Sequence, residues 1–155
     1  MLPPVPPQVL RQLRPNLFIL VEHDVDTNGL FFMARFKEIL RFWHTTLESQ
    51  HHSFRAAAEF RGVFEREYVG RDAMNVVACE GLERTVRAER LRNWRKRLER
   101  AGFAEVTLGN NVVTAVEKML KGYGDGFRCE KDGGAVKMTW QKNAMLSASG
   151  WTSMF

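Results

Sequence analysis

Acidic side chains end two apolar runs of the sequence, where they could face a ligand. Glu22, His23 and Asp24 end one run, and Glu80 ends another, residues 75–79. Such runs predict strands buried in a parallel sheet. In open α/β folds ligands bind at the edge where parallel strands end, so these groups form one candidate site. The alternative is that these carboxylates cap neighbouring helices or face solvent.

The sequence shows no arrangement typical of catalysis, metal binding or nucleotide binding. His51 and His52 are adjacent, so they do not share a helix face, and they lack further ligands at metal-binding spacing. The glycine-rich stretch 122–126 precedes a strand pattern, so it cannot offer a helix N-terminus to phosphate. Cys79 and Cys129 predict two reduced, buried thiols. We therefore expect no enzyme, no cofactor and no metal.

A helix predicted over residues 84–100 carries the highest density of charge. Its basic residues are Arg84, Arg87, Arg90, Arg92, Arg95, Lys96, Arg97 and Arg100. They could contact phosphates, and the candidate basic contact surface is Arg87, Arg92, Arg95, Lys96 and Arg97. The alternative is a solvated, salt-bridged face, since Glu83 lies four residues before Arg87. The net charge of +5 permits an acidic partner such as nucleic acid.

Composition predicts a globular domain outside the membrane. Hydrophobic residues make up 45% and charged residues 26% of the 155 residues. No run reaches the length of a membrane span. Residues 1–16 are rich in proline at their start and predict an extended leader or a join to something upstream. No secretory signal is visible there.

The first half of the chain predicts a strand–helix–helix–strand order. The run 17–22 shows no alternation and predicts a strand buried on both faces. Helices are expected over residues 30–47 and 54–68, the first ended by the polar cluster 49–53 and the second by Gly70. Residues 75–81 are then expected to form a second parallel strand.

The second half predicts a change to antiparallel pairing. The helix over residues 84–100 has an apolar stripe and ends at Gly102. A strand over residues 105–108 and a helix over residues 112–121 follow, and Asp132-Gly133-Gly134 is a strong hairpin signal. The stretch 145–151 predicts a last strand. The expected fold is α/β, with parallel strands first, an antiparallel hairpin last and helices on both faces of the sheet.

Tryptophans and glycines in the second half have regular spacing. Seven residues separate Trp94 from Gly102, and ten separate Trp140 from Trp151. Both spacings resemble those of the SAW region that ends the GRAS domain of plant transcriptional regulators. The resemblance implies that these four residues are structural and hold the C-terminal sheet and helix together.

The stretch before residue 82 resembles the PFYRE region of the same family. Arg71 and Asp72 stand where the family has Arg-Glu, and Glu80 and Gly81 end a segment similar to its Asn-hydrophobic-Ala-Cys-Glu-Gly. Leu30 replaces the proline that names the region. Ser149-Gly150-Trp151 likewise replaces Ser-Ala-Trp in the later region, and Gly150 should weaken the packing of its strand.

The resemblance implies a function and an organisation. Residues 17–155 would be the C-terminal subdomain of a GRAS domain, PFYRE-like over 17–81 and SAW-like over 82–155, with a partial Rossmann-like, methyltransferase-like sheet. The protein would be a nuclear, non-enzymatic plant transcriptional regulator that acts by protein association. Its partners would be other GRAS proteins and DNA-binding transcription factors, with DNA contact indirect or through the basic surface. The alternative is a small-ligand-binding module related to methyltransferases.

Overall fold

The chain folds into two compact units. A computed structural model describes residues 6–53 and 58–154. Residues 25–88 form one unit, here called the helical unit. Residues 6–24 and 89–154 belong to the other, the sheet unit. The predicted divisions after residues 16 and 81 stay predictions.

The sheet unit contains five strands that pair antiparallel throughout. The strands are β1 (Phe18–His23), β2 (Phe103–Val106), β3 (Phe127–Asp132), β4 (Ala135–Trp140) and β5 (Asn143–Ser153). Their order is β1-β5-β4-β3, and β2 pairs with the end of β5. The mixed α/β class is confirmed. The expected parallel, Rossmann-like pairing is wrong for the described strands, because every pairing among them is antiparallel.

The predicted second parallel strand over residues 75–81 is helical instead. Helix α4 (Gly70–Val77) contains its first half, and a loop contains the rest. A short apolar run does not distinguish a strand from a buried helical segment. Here only Asn75 and Val76 are buried, and Asn75 receives a hydrogen bond from the backbone N–H of Val86 at 3.1 Å. The side-chain contacts of one helix face therefore determine the conformation.

Strand β1 is confirmed, but its burial on both faces is not. Phe18 and Leu20 pack against the apolar cluster formed by Leu98, Ala101, Phe103 and Trp151. On the opposite face Ile19 and Val21 are exposed. β1 is also an end strand of the described sheet. An apolar strand in this position is open to association.

The hairpin of β3 and β4 is confirmed at its predicted turn. Asp132 pairs with Ala135, and Gly133 has φ +60°, a conformation that glycine adopts without steric cost. The next turn was not predicted. Gln141 and Lys142 both have positive φ there, although neither is glycine.

Three helices complete the sheet unit: α1 (Pro7–Gln12), α5 (Leu91–Arg100) and α6 (Asn110–Leu120). Helix α5 begins seven residues later than predicted. Residues 84–90 are irregular because their backbone groups bond elsewhere; the Ala88 N–H donates to Thr27 Oγ1 at 2.9 Å. The predicted end is confirmed, since Gly102 follows α5 with φ +86°.

The helical unit contains α2 (Phe32–Ser53), α3 (Ala58–Phe64), a π-helical turn (Glu65–Val69), α4 and a 3₁₀ turn (Gly81–Glu83). Helix α2 includes the polar cluster 49–53, so it extends past the predicted end at residue 47. Ser49 and Ser53 donate to the carbonyls of Thr46 and Ser49 at 2.8 Å, so their hydroxyls are satisfied inside the helix. Gly70 does not end a helix either, since its φ is −61°. Part of the predicted helix over residues 54–68 lies outside the described residues.

The core of the helical unit is one apolar cluster. It consists of Val25, Ile39, Phe42, Trp43, Val76 and Ala88. None of the described helices is long and apolar enough to cross a membrane.

Candidate functional site

Two loops of the helical unit are held together by the buried side chain of Arg35. Its Nη1 donates to the Leu30 carbonyl at 3.2 Å, and its Nη2 pairs with the Glu80 carboxylate. Its Nε donates to the Val76 carbonyl at 3.5 Å, where α4 ends. Arg35 is 1% exposed, so its guanidinium depends on these partners in place of water.

A second arginine joins the same loops. Arg87 donates to the Gly81 carbonyl at 2.6 Å and to Asn28 Oδ1 at 3.4 Å. Gly81 has φ +51°, which lets the chain turn sharply after Glu80. The segment before α2 and the segment after α4 are therefore connected at two points.

Arg84 connects the loops to the core of the helical unit. It is buried and donates to the Thr27 carbonyl at 2.7 Å. Burial, together with the positive charges of Arg87 and Arg35, lowers the pKa of Arg84. Three guanidinium groups therefore gather below these loops, and the carbonyls and Glu80 compensate their charge.

The two loops carry three apolar side chains that face solvent. Leu82 is 100% exposed, Leu30 89% and Phe31 80%, more than any other large apolar side chain among residues 6–53 and 58–154. We call these three residues the apolar tip. Loops that a rigid scaffold positions are where binding residues concentrate, and exposed apolar groups on them mark interaction sites.

The predicted motif residues of the helical unit have different surroundings. Asp72 accepts a hydrogen bond from Trp43 Nε1 at 3.0 Å and so ties α4 to α2. Arg71 is exposed and pairs with Glu67 at 3.0 Å, four residues before it. Because both side chains are exposed, solvent screens this pair and it contributes little to stability. Glu80 and Gly81 belong to the arginine-braced loops.

Two of the predicted tryptophans are central to the sheet unit. Trp151 is 0% exposed and packs against Leu98 and Phe103. Its Nε1 donates to Ser149 Oγ at 2.8 Å, so its polar group is satisfied. Trp140 is 2% exposed, and its ring meets the Phe127 ring edge-on at 4.8 Å between centroids.

Trp94 is different from the other two. It is only partly buried, with Arg97 over its ring at 5.9 Å. Its Nε1 is buried without a partner among the described atoms. Gly102 lies at the end of the same helix, and its carbonyl accepts the Met154 N–H at 3.1 Å.

Most of the predicted basic contact surface is used inside the protein. Arg95 donates to Glu105 at 3.1 Å and to Asp132 at 2.7 Å. Lys137 pairs with the same Asp132 at 2.7 Å and with the buried Asp24 at 3.1 Å. Hydrogen bonds from Lys137 and Arg95 lower the pKa of Asp132. This network connects α5 with the hairpin of β3 and β4.

Arg97 and Arg87 are likewise engaged. Arg97 pairs with the buried Glu89 at 2.6 Å, and Arg87 belongs to the loops described above. Arg92 and Lys96 remain exposed on α5. Of the five candidates, only these two are directed to solvent without a side-chain partner in the part of the chain that the structure describes.

The carboxylates expected at one sheet edge each have separate partners. Asp24 accepts the Leu91 N–H at 3.0 Å and pairs with Lys137, whereas Glu80 pairs with Arg35. Glu22 is half-buried on β1, and burial raises its pKa. The predicted site at the ends of parallel strands is therefore wrong, since the parallel pair itself does not form.

The glycine-rich loop and the histidine pair lie in polar surroundings. The loop lines a hollow of about 520 Å³ together with Glu117, Lys121, Asp125 and Arg128. Equal numbers of acidic and basic groups there give no net attraction for phosphate. His51 Nδ1 lies 3.3 Å from Arg61 Nη1. The described residues contain no group of three or more potential metal ligands.

Sequence reasoning missed the apolar tip and the arginines below it. Arg35 lies within a helical apolar stripe, where an unpaired charge would be costly, and that conflict was the available signal. Leu30 and Phe31 precede the buried stripe of α2, and Leu82 follows a glycine in a charged segment. No periodicity marks them.

Comparison with known proteins identifies the family. The GRAS domain family model matches residues 8–152. DELLA protein 2 of Medicago truncatula is 34% identical over 145 residues, and DELLA protein RGL3 of Arabidopsis thaliana is 34% identical over 144 residues. DELLA protein SLR1 of Oryza sativa subsp. indica is 35% identical over 152 residues.

These matches cover most of this chain but a small part of each relative. The alignment spans 92% of this chain and 27% of the Medicago protein. The chain thus corresponds to about a quarter of the length of the curated relatives. The crystal structure of SCL7 of Oryza sativa superposes with a TM-score of 0.84 at 26% identity, covering 94% of this chain and 41% of that one. The chain belongs to the GRAS domain family of plant proteins.

Proposed function

We propose that this chain is the C-terminal part of a plant transcriptional regulator that acts in the nucleus through protein association and catalyses no reaction. Family membership supports regulation. The single observation that carries the mode of action is the apolar tip. Its side chains are exposed, whereas the loops that carry them are held by the buried Arg35 and by the half-buried Arg87. Such a surface contacts a partner at little cost in ordering, because its backbone is already fixed.

The energetic argument favours a protein partner for the apolar tip. Covering one leucine or phenylalanine side chain contributes about 1.5–3 kcal/mol. Three such anchors on neighbouring loops match the apolar core of a protein interface. Without a partner, the same exposed side chains would promote nonspecific association and would not stabilise the fold.

The charge around the tip indicates which protein surface fits it. The carboxylates of Glu80 and Glu83 are exposed there, whereas the guanidinium of Arg35 is buried below. Each of these exposed carboxylates can pair with a basic group of a partner. We therefore assign the tip to an apolar pocket with a basic border, as DNA-binding transcription factors present, and to other GRAS proteins that carry such a pocket.

A binding experiment with defined partners tests this function. The purified chain is immobilised, and its binding to rice DELLA protein SLR1 and to a plant zinc-finger DNA-binding domain is measured by interferometry. The variant Leu30→Ser/Phe31→Ser/Leu82→Ser should bind at least about tenfold more weakly, since about 1.4 kcal/mol of lost anchoring suffices for that change. Circular dichroism confirms that the variant is folded.

A matched control separates the tip from general stickiness. Leu13→Ser/Met119→Ser also removes exposed apolar side chains, which lie in the sheet unit. It should leave the affinity unchanged. Equal losses in both variants, or no binding of the wild type to either probe, would contradict the proposal.

The nuclear location needs its own test. A fluorescent fusion expressed in plant protoplasts should accumulate in the nucleus. Exclusion from the nucleus would contradict this part of the proposal without affecting the binding result.

A further inference from the structure

The net positive charge of the protein is carried by one of its two units. The sheet unit contains 14 basic and 9 acidic side chains, whereas the helical unit contains 9 of each. The net charge of +5 therefore belongs to the sheet unit alone. An anionic partner attracted by this charge would bind there, since the helical unit carries no net charge.

Helix α5 displays part of this charge as a regular stripe. With 100° per residue, Leu91 and Leu98 face the core, and Arg92, Lys96 and Arg100 lie within an arc of about 80° on the opposite side. Successive cations are four residues, or about 6 Å, apart along the helix axis. The stripe is thus about 12 Å long and straight.

The three cations of the stripe are available to a ligand. Among residues 6–53 and 58–154 their side chains make no hydrogen bond or ion pair. The other cations of α5 are engaged, Arg95 with Glu105 and Asp132 and Arg97 with Glu89. The fold therefore separates the charges that hold α5 in place from those that α5 presents.

Few acidic groups accompany the stripe. Of the three glutamates nearest to α5 in sequence, Glu83 lies in the helical unit and Glu89 is buried against Arg97. Glu99 is exposed at the border of the stripe. One carboxylate beside three cations leaves a net charge of +2 on this face.

We infer that the Arg92–Lys96–Arg100 stripe contacts the phosphate backbone of nucleic acid, which goes beyond the proposed protein association. Within α5, all of whose residues the structure describes, no large apolar side chain is exposed. Protein interfaces need apolar anchors, whereas interfaces with nucleic acid are polar and strongly positive. The stripe offers phosphate contacts only, so the binding is independent of base sequence.

The salt dependence of binding tests the inference quantitatively. Fluorescence anisotropy of a labelled DNA duplex of about 20 base pairs is measured from about 50 to about 200 mM salt. Three phosphate contacts predict a slope of about −2.7 in log K against log salt, which is an affinity loss of roughly 40-fold over that range. The variant Arg92→Glu/Lys96→Glu/Arg100→Glu should bind at least about tenfold more weakly at low salt and lose most of the slope.

Two further variants keep the test decisive. Lys118→Glu/Lys121→Glu/Lys142→Glu makes the same change in net charge at exposed positions elsewhere in the sheet unit and should retain its affinity. Arg92→Gln/Lys96→Gln/Arg100→Gln removes the charge with residues that favour helix, and should weaken binding with an unchanged melting temperature.

Specific outcomes overturn the inference. Equal losses in the two triple-glutamate variants would show that only net charge matters. Unchanged binding of the glutamine variant would show that the stripe does not contact the duplex. Stronger competition by polyglutamate than by unlabelled duplex of equal charge would assign the stripe to an acidic protein. The apolar-tip variant should bind the duplex as the wild type does, so this test and that of the proposed function fail independently.

Discussion

The two units of the chain are stabilised in different ways. In the sheet unit, large apolar side chains such as Trp151 and Trp140 are completely covered by a continuous antiparallel sheet and its helices. In the helical unit one apolar cluster contains six buried residues, and buried polar groups such as Arg35 and Arg84 connect the loops. Apolar packing is therefore more extensive in the sheet unit, whereas directional bonds determine the loop geometry of the helical unit.

This difference bears on function. Apolar packing tolerates substitutions that conserve volume, whereas a buried charge loses its partners as soon as its geometry changes. A buried charge with fixed partners therefore suits a surface whose loops must keep one geometry. We therefore expect variants of the sheet unit to affect stability most, and variants of the bracing arginines to affect the loops and the binding that depends on them.

Trp151→Ala should have the largest effect on stability. The ring is fully buried, so its removal leaves a cavity among Leu98, Phe103 and Phe18, and we expect a loss of about 3–5 kcal/mol. Chemical denaturation monitored by circular dichroism measures it. Trp94→Ala, at a partly exposed position, serves as the control and should cost clearly less. A loss below about 1 kcal/mol for Trp151→Ala would contradict this account of the sheet unit.

Arg35→Met should destabilise the helical unit by about 1.5–3 kcal/mol, because the carbonyls of Leu30 and Val76 and the carboxylate of Glu80 lose a charged donor. It should also increase hydrogen exchange at residues 28–31 and 80–82, since the two loops lose their shared bond. Arg35→Lys is the control and should recover part of the stability. Unchanged exchange in Arg35→Met would show that the arginine does not brace these loops.

Gly126→Ala should cost about 1–3 kcal/mol by overpacking. A β-carbon at this position would lie 2.3 Å from the Trp140 ring, which is buried and cannot move aside. Gly62→Ala is a suitable control, because its β-carbon would meet nothing within 4 Å and alanine favours the α3 helix. Equal thermal stability of Gly126→Ala and the wild type would refute the packing described for Trp140.

Gly150→Ala, in contrast to Gly126→Ala, should stabilise the fold by about 0.5–1 kcal/mol. Its β-carbon would lie 3.6 Å from Ile19 and 3.7 Å from Leu108 and Val106, which is ordinary van der Waals contact. The family has alanine here by resemblance, and the strand has room for it. A lower melting temperature for Gly150→Ala would contradict the geometry of β5.

The network around Asp132 should make the sheet unit sensitive to acid. Its pKa is lowered in the folded state, so Asp132 stabilises the fold above the ordinary pKa near 3.8. That stabilisation is lost as the pH falls below about 4, through the folded pKa. Asp132→Asn should therefore be less stable at pH 7 and show a smaller further loss between about pH 4 and pH 2. If the stability of Asp132→Asn depended on pH as that of the wild type does, Asp132 would not be the source of the acid sensitivity.

The sheet unit was the more predictable of the two. Alternation and the Asp132-Gly133-Gly134 turn indicated the hairpin, and Gly102 marked the end of α5. These are local signals with a fixed period or a steric cause. The Gln141–Lys142 turn was missed because neither residue favours positive φ.

The helical unit was less predictable because its conformation depends on contacts between distant residues. The apolar run 75–81 is compatible with a strand or a helix, and bonds from Asn75 to Val86 accompany the helical outcome. Arg35 reaches Glu80 across 45 residues. No spacing rule predicts which buried arginine will meet which carbonyl. The candidate site depends on those bonds, so the sequence alone did not indicate it.

Methyl NMR on the protein bound to its partner tests the central claim most directly. The chain is labelled at leucine, isoleucine, valine and methionine methyl groups and titrated with rice SLR1 or the zinc-finger domain. We predict that the largest shift changes occur at Leu30 and Leu82. Changes concentrated at Leu17, Ile19 and Val21 would show that β1 is the interface instead, and would contradict the assignment of protein association to the apolar tip.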